Sequence, residues 1–73
     1  MSNDIYSQLA YENEIMTERD MQQALHLSKN KVRNMLNQGI IPAVKFGKDY
    51  RITRGEFNKW MKASGGKKFE VID

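Results

Sequence analysis

Apolar residues recur at intervals of three and four in three separate parts of this 73-residue chain. That interval is typical of one buried face of an α-helix. In chain order, the three sets are Met21, Ala24 and Leu25; Val32, Met35 and Leu36; and Phe57, Trp60 and Met61. The pattern predicts three short amphipathic helices.

Residues that cap helices precede the first two sets. Thr17 and Asp20 have the spacing of a capping box, in which a hydroxyl and a carboxylate satisfy each other's backbone N–H groups. The helix that follows is predicted to end near His26, and Ser28 offers the next N-cap almost at once. Two helices joined this tightly cannot be collinear, so the sequence predicts a helix-turn-helix.

A different pattern separates the second and third helices. Gly39 follows the second helix, where a positive φ is needed. The segment IIPAVKF is typical of a strand, residues 47–49 supply turn chemistry, and residues 50–52 return as a second strand. Thr53 and Glu56 then repeat the capping-box spacing before the third helix. The expected fold is a small α+β domain that combines a helix-turn-helix, a two-stranded hairpin and a C-terminal helix.

The same periodicities predict a core and two less regular ends. Lys45 and Arg51 are expected to point together away from the core. Apolar residues between positions 5 and 10 favour an extra N-terminal helix capped by Asn3, whereas residues 11–15 could equally be extended. The residues after position 66 are expected to be flexible, or to add a strand or dock on a partner. The predicted core is Met21, Leu25, Leu27, Val32, Leu36, Ile41, Val44, Phe46, Ile52, Phe57, Trp60 and Met61, with Tyr50 partly covered.

Charge is divided unevenly along the chain. Residues 1–27 carry five acidic residues and one basic residue, a net charge of −4, whereas residues 28–62 carry nine basic and two acidic residues, a net charge of +7. Such a division indicates a surface in the middle of the chain that faces a polyanion, although lysines that merely solvate exposed faces would give the same totals.

The composition argues against catalysis, metal binding and membrane insertion. There is no cysteine and only one histidine, His26, so neither a disulfide framework nor a protein-only metal site is predicted. Glu18 and Asp20 have the ordinary place of carboxylates in the first turn of a helix. No Gly-rich phosphate loop or nucleophile motif occurs. We expect a non-enzymatic protein without a cofactor, and the absence of an apolar span or a signal-like N-terminus predicts a cytoplasmic location.

The second predicted helix carries the chemistry of nucleic-acid recognition. With its apolar residues turned inward, its other faces present charges for phosphates and amides for base edges. Arginine pairs with guanine and asparagine with adenine in the major groove. Three asparagines in one short helix need a reason, because asparagine is a poor helix former. Contact with bases or phosphates is one reason, and a merely polar helix of an asparagine-rich proteome is the alternative. The residues are Ser28, Lys29, Asn30, Lys31, Arg33, Asn34 and Asn37.

The chain from residue 15 to residue 62 resembles the excisionase-type, MerR-like winged helix-turn-helix domain of phage and mobile-element proteins. Asn34 and Asn37 stand where members of that family often carry arginine, and Arg33 stands where many carry an aromatic residue. The segments that match in order are Met16-Thr17, Ala24-Leu25, Ser28, Val32, Gly39-Ile40-Ile41-Pro42-Ala43, Phe46-Gly47, Tyr50-Arg51-Ile52 and Phe57-Trp60-Met61.

The resemblance implies that the second helix enters the major groove and that the hairpin is a wing along the backbone or minor groove. It divides the chain into an acidic N-terminal extension (1–15), a winged helix-turn-helix DNA-binding domain (16–62) and a flexible C-terminal tail (63–73). The wing contacts that it implies are Lys45, Lys48, Tyr50 and Arg51.

The function expected from the resemblance is that of an excisionase, which binds direct repeats in double-stranded DNA beside an integrase and bends the DNA. Cooperative self-association of several copies on DNA, or a dimer, would accompany this role, because one module that touches a few phosphates binds weakly. A transcription regulator or a phage packaging subunit of the same fold would show the same residues. An alternative from another class is a protein-interaction adaptor that uses the two termini.

Overall fold

In the computed structural model of the protein, residues 10–71 are described. Residues 10–12 are helical, while most of the predicted N-terminal helix lies outside the described residues. None of the described helices is long and apolar enough to cross a membrane. The elements that follow are β1 (Ile15–Met16), α1 (Glu18–Leu25), α2 (Lys29–Asn37), β2 (Val44–Phe46), β3 (Asp49–Thr53) and α3 (Arg54–Ala63).

The predicted caps fix the starts of all three helices. Thr17 and Asp20 form the reciprocal capping box of α1, with bonds of 2.9 and 3.2 Å. The backbone N–H of Thr17 donates to the Asp20 carboxylate and lowers the pKa of Asp20. Ser28 caps α2. The Thr53 hydroxyl caps α3 by accepting a hydrogen bond from the Glu56 N–H. Of the two hydrogen bonds in the second predicted capping box, this is the one that forms.

Each helix of the helix-turn-helix is followed by a residue with a left-handed backbone conformation. His26 ends α1 with φ of 56°, and the next N–H, of Leu27, donates back to the Gln22 carbonyl. Gly39 follows α2 with φ of 76°. The Gly39 N–H donates to the Leu36 carbonyl, and the Ile40 N–H donates to the Met35 carbonyl. These two hydrogen bonds form a complete Schellman motif. The positive φ predicted at Gly39 is confirmed.

A single antiparallel sheet with the strand order β1-β3-β2 lies beside the helices. Strand β1 was not predicted as part of the sheet, although an extended conformation was one of the two alternatives for residues 11–15. It pairs with β3 through Ile15–Thr53 and Met16–Ile52, so the hairpin is extended to three strands. The wing itself, β2 and β3, has the predicted position in the chain.

The register of the wing differs from the predicted one by a single residue. Its pairs are Val44–Arg51, Lys45–Tyr50 and Phe46–Asp49, so the turn between the strands contains only Gly47 and Lys48. A glycine with φ of 63° in the first of two central positions is typical of a type II′ hairpin turn. Asp49, which was assigned to the turn, is therefore the first residue of β3.

That one-residue difference reverses the faces of β2 relative to β3, because side chains alternate along a strand. Val44 and Phe46 are exposed, at 58% and 60%, so the prediction that they face the core is wrong. We call the side that carries them, with Ile15 and Arg51, the outer face. The opposite, inner face carries Lys45 beside the buried Tyr50. The prediction that Lys45 and Arg51 point the same way is also wrong.

The core lies between the inner face and the three helices. Met61 was predicted to be part of it but is 45% exposed, and Leu25, Leu27 and Trp60 are only partly buried. Tyr50 is more deeply buried than predicted, at 8% exposure. The buried residues are Met16, Met21, Val32, Met35, Leu36, Ile41, Tyr50, Ile52 and Phe57.

Both flanking segments contact α3. The Arg54 N–H donates to the Glu14 carbonyl at 2.8 Å, and the Arg54 guanidinium lies 5.1 Å from the centre of the Tyr11 ring. The backbone of Glu12 comes so close to α3 that a Cβ on Gly55 would lie 3.1 Å from its carbonyl oxygen. Beyond α3, Phe69 stacks on Trp60 with 5.9 Å between ring centres.

We expect Gly39→Ala to lower the free energy of unfolding by about 1 kcal/mol, because a Cβ is unfavourable at this positive φ although space is available. Gly65→Ala is the matched control: Gly65 has no positive φ, and its Cβ would make only an ordinary contact of 3.5 Å with the Lys62 carbonyl. Urea denaturation of both variants measures the difference. Equal losses would contradict the role given to Gly39.

Candidate nucleic-acid interface

Helix α2 presents the predicted polar residues on its outward and flanking sides. Burial of Val32, Met35 and Leu36 fixes this orientation. Lys29, Asn30 and Asn37 are exposed, whereas Lys31, Arg33 and Asn34 are half-buried. Ser28 is engaged as the N-cap, since its hydroxyl accepts from the Lys31 N–H at 3.2 Å.

A groove of about 610 Å³ joins this helix to two other parts of the chain, the start of α1 and the wing turn. Three cationic side chains besides Arg33 line it, one from each part: Arg19, Lys29 and Lys48. None of these three forms an ion pair with another described residue. The full lining is Glu18, Arg19, Gln22, Lys29, Asn30, Arg33, Lys48 and Asp49.

Arg33 lies at the centre of the groove and binds both of its walls. Its Nη1 donates to Oε2 of Glu18 in α1 at 2.5 Å, and its Nη2 donates to the carbonyl oxygen of Lys48 in the wing turn at 2.8 Å. The guanidinium also lies 5.3 Å from the centre of the Tyr50 ring, within the range of a cation–π interaction. One side chain of α2 therefore connects all three elements of the groove.

Tyr50 lies beneath the groove and holds the wing against α2. Its hydroxyl donates to Oδ1 of Asn37 at 3.0 Å. Lys45 lies 5.6 Å from the centre of its ring. With 8% of its surface exposed, Tyr50 supports the candidate interface from within and offers little surface for direct contact.

The cations of the wing lie in three places. Lys45 is on the inner face beside Tyr50, Lys48 is in the turn, and Arg51 is on the outer face. The Arg51 guanidinium donates to the carbonyl oxygen of Tyr50 at 3.1 Å. Only Lys45 and Lys48 are therefore placed on the side of α2.

Sequence reasoning missed the contribution of α1 to the groove, namely Arg19 and Gln22. A signal for Arg19 exists. It is the only basic residue among the first 27, and it lies in the first turn of a helix, where the dipole disfavours a cation. A cation in that place calls for a reason, and contact with an anion is one. Gln22 has no comparable signal.

Other chemistries find little support among residues 10–71. No three His, Asp or Glu side chains of this part of the chain lie close enough together to hold a metal ion. His26 is exposed and caps α1.

Comparison with known proteins identifies one family. Residues 15–65 match the family described as the helix-turn-helix domain, and the match covers all six elements of the fold. No curated protein and no solved structure matches the chain significantly.

We expect Arg33→Ala to loosen the wing, because it removes the bonds to Glu18 and to the Lys48 carbonyl together. Both are partly exposed, so the loss in unfolding free energy should be only about 1 kcal/mol. The more specific expectation is faster amide hydrogen exchange over residues 45–51, measured by NMR. Lys29→Ala is the control on the same helix, since Lys29 has no polar partner among the described residues. Equal exchange in the two variants would show that Arg33 does not hold the wing.

Proposed function

Because the chain belongs to the helix-turn-helix domain family, we propose that it binds double-stranded DNA in a sequence-specific manner and acts as an excisionase. In this role it is a non-catalytic architectural factor of site-specific recombination. Helix α2 enters the major groove while the wing lies along the backbone or the minor groove. Several copies bind repeated sites beside an integrase and bend the DNA.

One observation carries the DNA-binding part of this proposal. The groove brings cations from α1, α2 and the wing turn to the same side as the exposed amide of Asn30. Cations position a protein on phosphates, and amides in the first turn of a recognition helix read base edges. The family match supports the same partner, since the helix-turn-helix domain is a DNA-binding family and not an enzyme family.

The contacts of Arg33 and Tyr50 divide the predicted site residues into two groups. Arg33 and Tyr50 are positioning residues in this proposal, because their polar groups already bind within the protein. The residues that contact DNA are Lys29, Asn30, Lys31 and Asn34 of the recognition helix, with Lys45 and Lys48 of the wing. Ser28 and Asn37 contact it only through the donors that remain to them, the Ser28 hydroxyl and the Asn37 amide nitrogen, because their side-chain oxygens already accept hydrogen bonds within the protein. Arg51, on the outer face, contacts DNA only at the edge of the wing.

The sequence-specific part of the proposal can be tested without a known target. Selection from randomised duplexes should yield a preferred sequence, and fluorescence anisotropy should then give a Kd that rises steeply with salt. Lys29→Ala and Lys45→Ala should each lower the slope of log K against log salt by about 0.9, because each removes one phosphate contact. Lys59→Ala, a charge-matched change on the exposed side of α3, should leave the slope unchanged.

Asn30→Ala should behave differently from the lysine variants. It should relax the preference at one base pair, at a cost of about 1–3 kcal/mol on the selected sequence, with the salt slope retained. The proposed interface would be contradicted if the protein showed no preference for any DNA sequence in the presence of heparin as competitor. It would also be contradicted if Lys29→Ala and Lys59→Ala lost equal amounts of DNA affinity.

The excisionase role needs a test of its own. With the integrase encoded nearest to its gene, the protein should stimulate excision of a segment flanked by two attachment sites. Lys29→Ala should reduce this stimulation and Lys59→Ala should retain it. Excision that proceeds equally well without the protein, on DNA that the protein binds specifically, would contradict the recombination role and favour a transcription regulator or packaging subunit.

A further inference from the structure

The outer face of the sheet is an apolar surface that no described element covers. The helices pack on the inner face, around Tyr50 and Ile52. On the opposite side, Ile15, Val44 and Phe46 are 55%, 58% and 60% exposed. They come from two strands on either side of β3 and, with Pro42, line a concave groove of about 270 Å³.

Three large apolar side chains on one small sheet are a substantial exposure. Contiguous apolar patches with a polar rim mark interaction sites, whereas apolar residues scattered singly do not. Two sheets can cover such faces by packing on each other, about 10 Å apart. The outer face is therefore suited to contact with another flat apolar surface of similar size.

The charges of this groove are of both signs. Arg51 lines it beside Val44 of β2, and Glu56 lines it from the first turn of α3, with Thr53 between them in the chain. Neither Arg51 nor Glu56 forms an ion pair with another described residue. The Arg51 guanidinium donates only to a backbone carbonyl oxygen.

We propose that a second copy of this chain covers the outer face, with the two sheets packed face to face about a two-fold axis. In a two-fold interface, a residue that contacts another is itself contacted by the same residue of the partner. Arg51 of each copy then pairs with Glu56 of the other, twice, while the apolar strips cover one another. An unpaired cation and an unpaired anion beside one apolar strip make the surface complementary to itself.

This pairing is a property of the free protein and does not depend on DNA binding. It leaves α2 and Lys45 accessible, because they lie on the inner side of the sheet, whereas Arg51 of a paired copy is not available to DNA. A two-fold pair presents its two recognition helices in opposite directions, which matches inverted half-sites. Direct repeats would instead be filled by separate copies.

Sedimentation equilibrium of the full chain without DNA tests the pairing. The wild type should dimerise reversibly, and Arg51→Glu or Glu56→Arg should each weaken dimerisation at least about tenfold, because each places like charges opposite one another. The double variant R51E/E56R should restore dimerisation to within about threefold, since the reversed charges pair again. Lys59→Glu is the control for a charge reversal elsewhere, and circular dichroism confirms that each variant is folded.

Two results would overturn the proposal. One is a wild type that stays monomeric at about 1 mM, which would leave the outer face to a different partner. The other is a dimer that persists unchanged in both single variants, or a double variant as weak as the singles, which would place the interface elsewhere. A monomer that still binds its selected DNA would overturn only the pairing, and a dimer that binds no DNA would overturn only the proposed function.

Discussion

The contact of Arg33 with the wing is the interaction on which the candidate interface depends. A recognition helix and a two-stranded wing form one surface only if something holds their relative position. In this protein a single guanidinium bonds to α1 and to the wing turn, and lies against the ring of Tyr50. The Tyr50 hydroxyl completes the connection by donating to Asn37 at the end of α2.

This arrangement has a cost for recognition. The Glu18 carboxylate partly neutralises the charge of the Arg33 guanidinium, and two of the guanidinium nitrogens already donate hydrogen bonds within the protein. The guanidinium is therefore less available to guanine or phosphate. Among the cations that line the groove, Arg19, Lys29 and Lys48 form no ion pair with another described residue. Specificity in this account comes from the asparagines of α2, and rigidity comes from its arginine.

The parts of the fold that could be predicted from sequence are those that local chemistry determines. The hydroxyls of Thr17, Ser28 and Thr53 cap helices within three residues of themselves, and Gly39 needs its positive φ regardless of distant contacts. Strand β1 has two residues, too few for a period to be read, and it exists only because β3 provides a partner. Such a strand depends on tertiary pairing that no local pattern reveals.

The register of the wing shows how small the margin of such predictions is. Gly-Lys-Asp serves equally well as a three-residue turn or as a two-residue turn with one strand residue, and the apolar pattern of β2 favoured the former. The two-residue turn leaves Val44 and Phe46 on the outer face and brings Lys45 beside Tyr50. A register shift of one residue thus decides whether Lys45 lies beside Tyr50 and whether Val44 and Phe46 remain uncovered.

The division of roles along α2 was only partly accessible to sequence reasoning. The spacing of Val32, Met35 and Leu36 identified the outward residues, because helical periodicity is local. That Arg33 is engaged with Glu18 and with a carbonyl of the wing turn could not be read from the chain, since both partners are fifteen residues away. The boundaries 1–15, 16–62 and 63–73 and the individual DNA contacts stay predictions.

A titration of the isotope-labelled protein with its selected duplex, followed by backbone amide NMR, tests the central claim most directly. We predict that amides of residues 29–37 and 45–51 shift together and saturate at the same DNA concentration, since Arg33 joins the two segments into one surface. Changes confined to the terminal segments, with residues 29–37 unmoved, would contradict this account and support a protein-interaction adaptor.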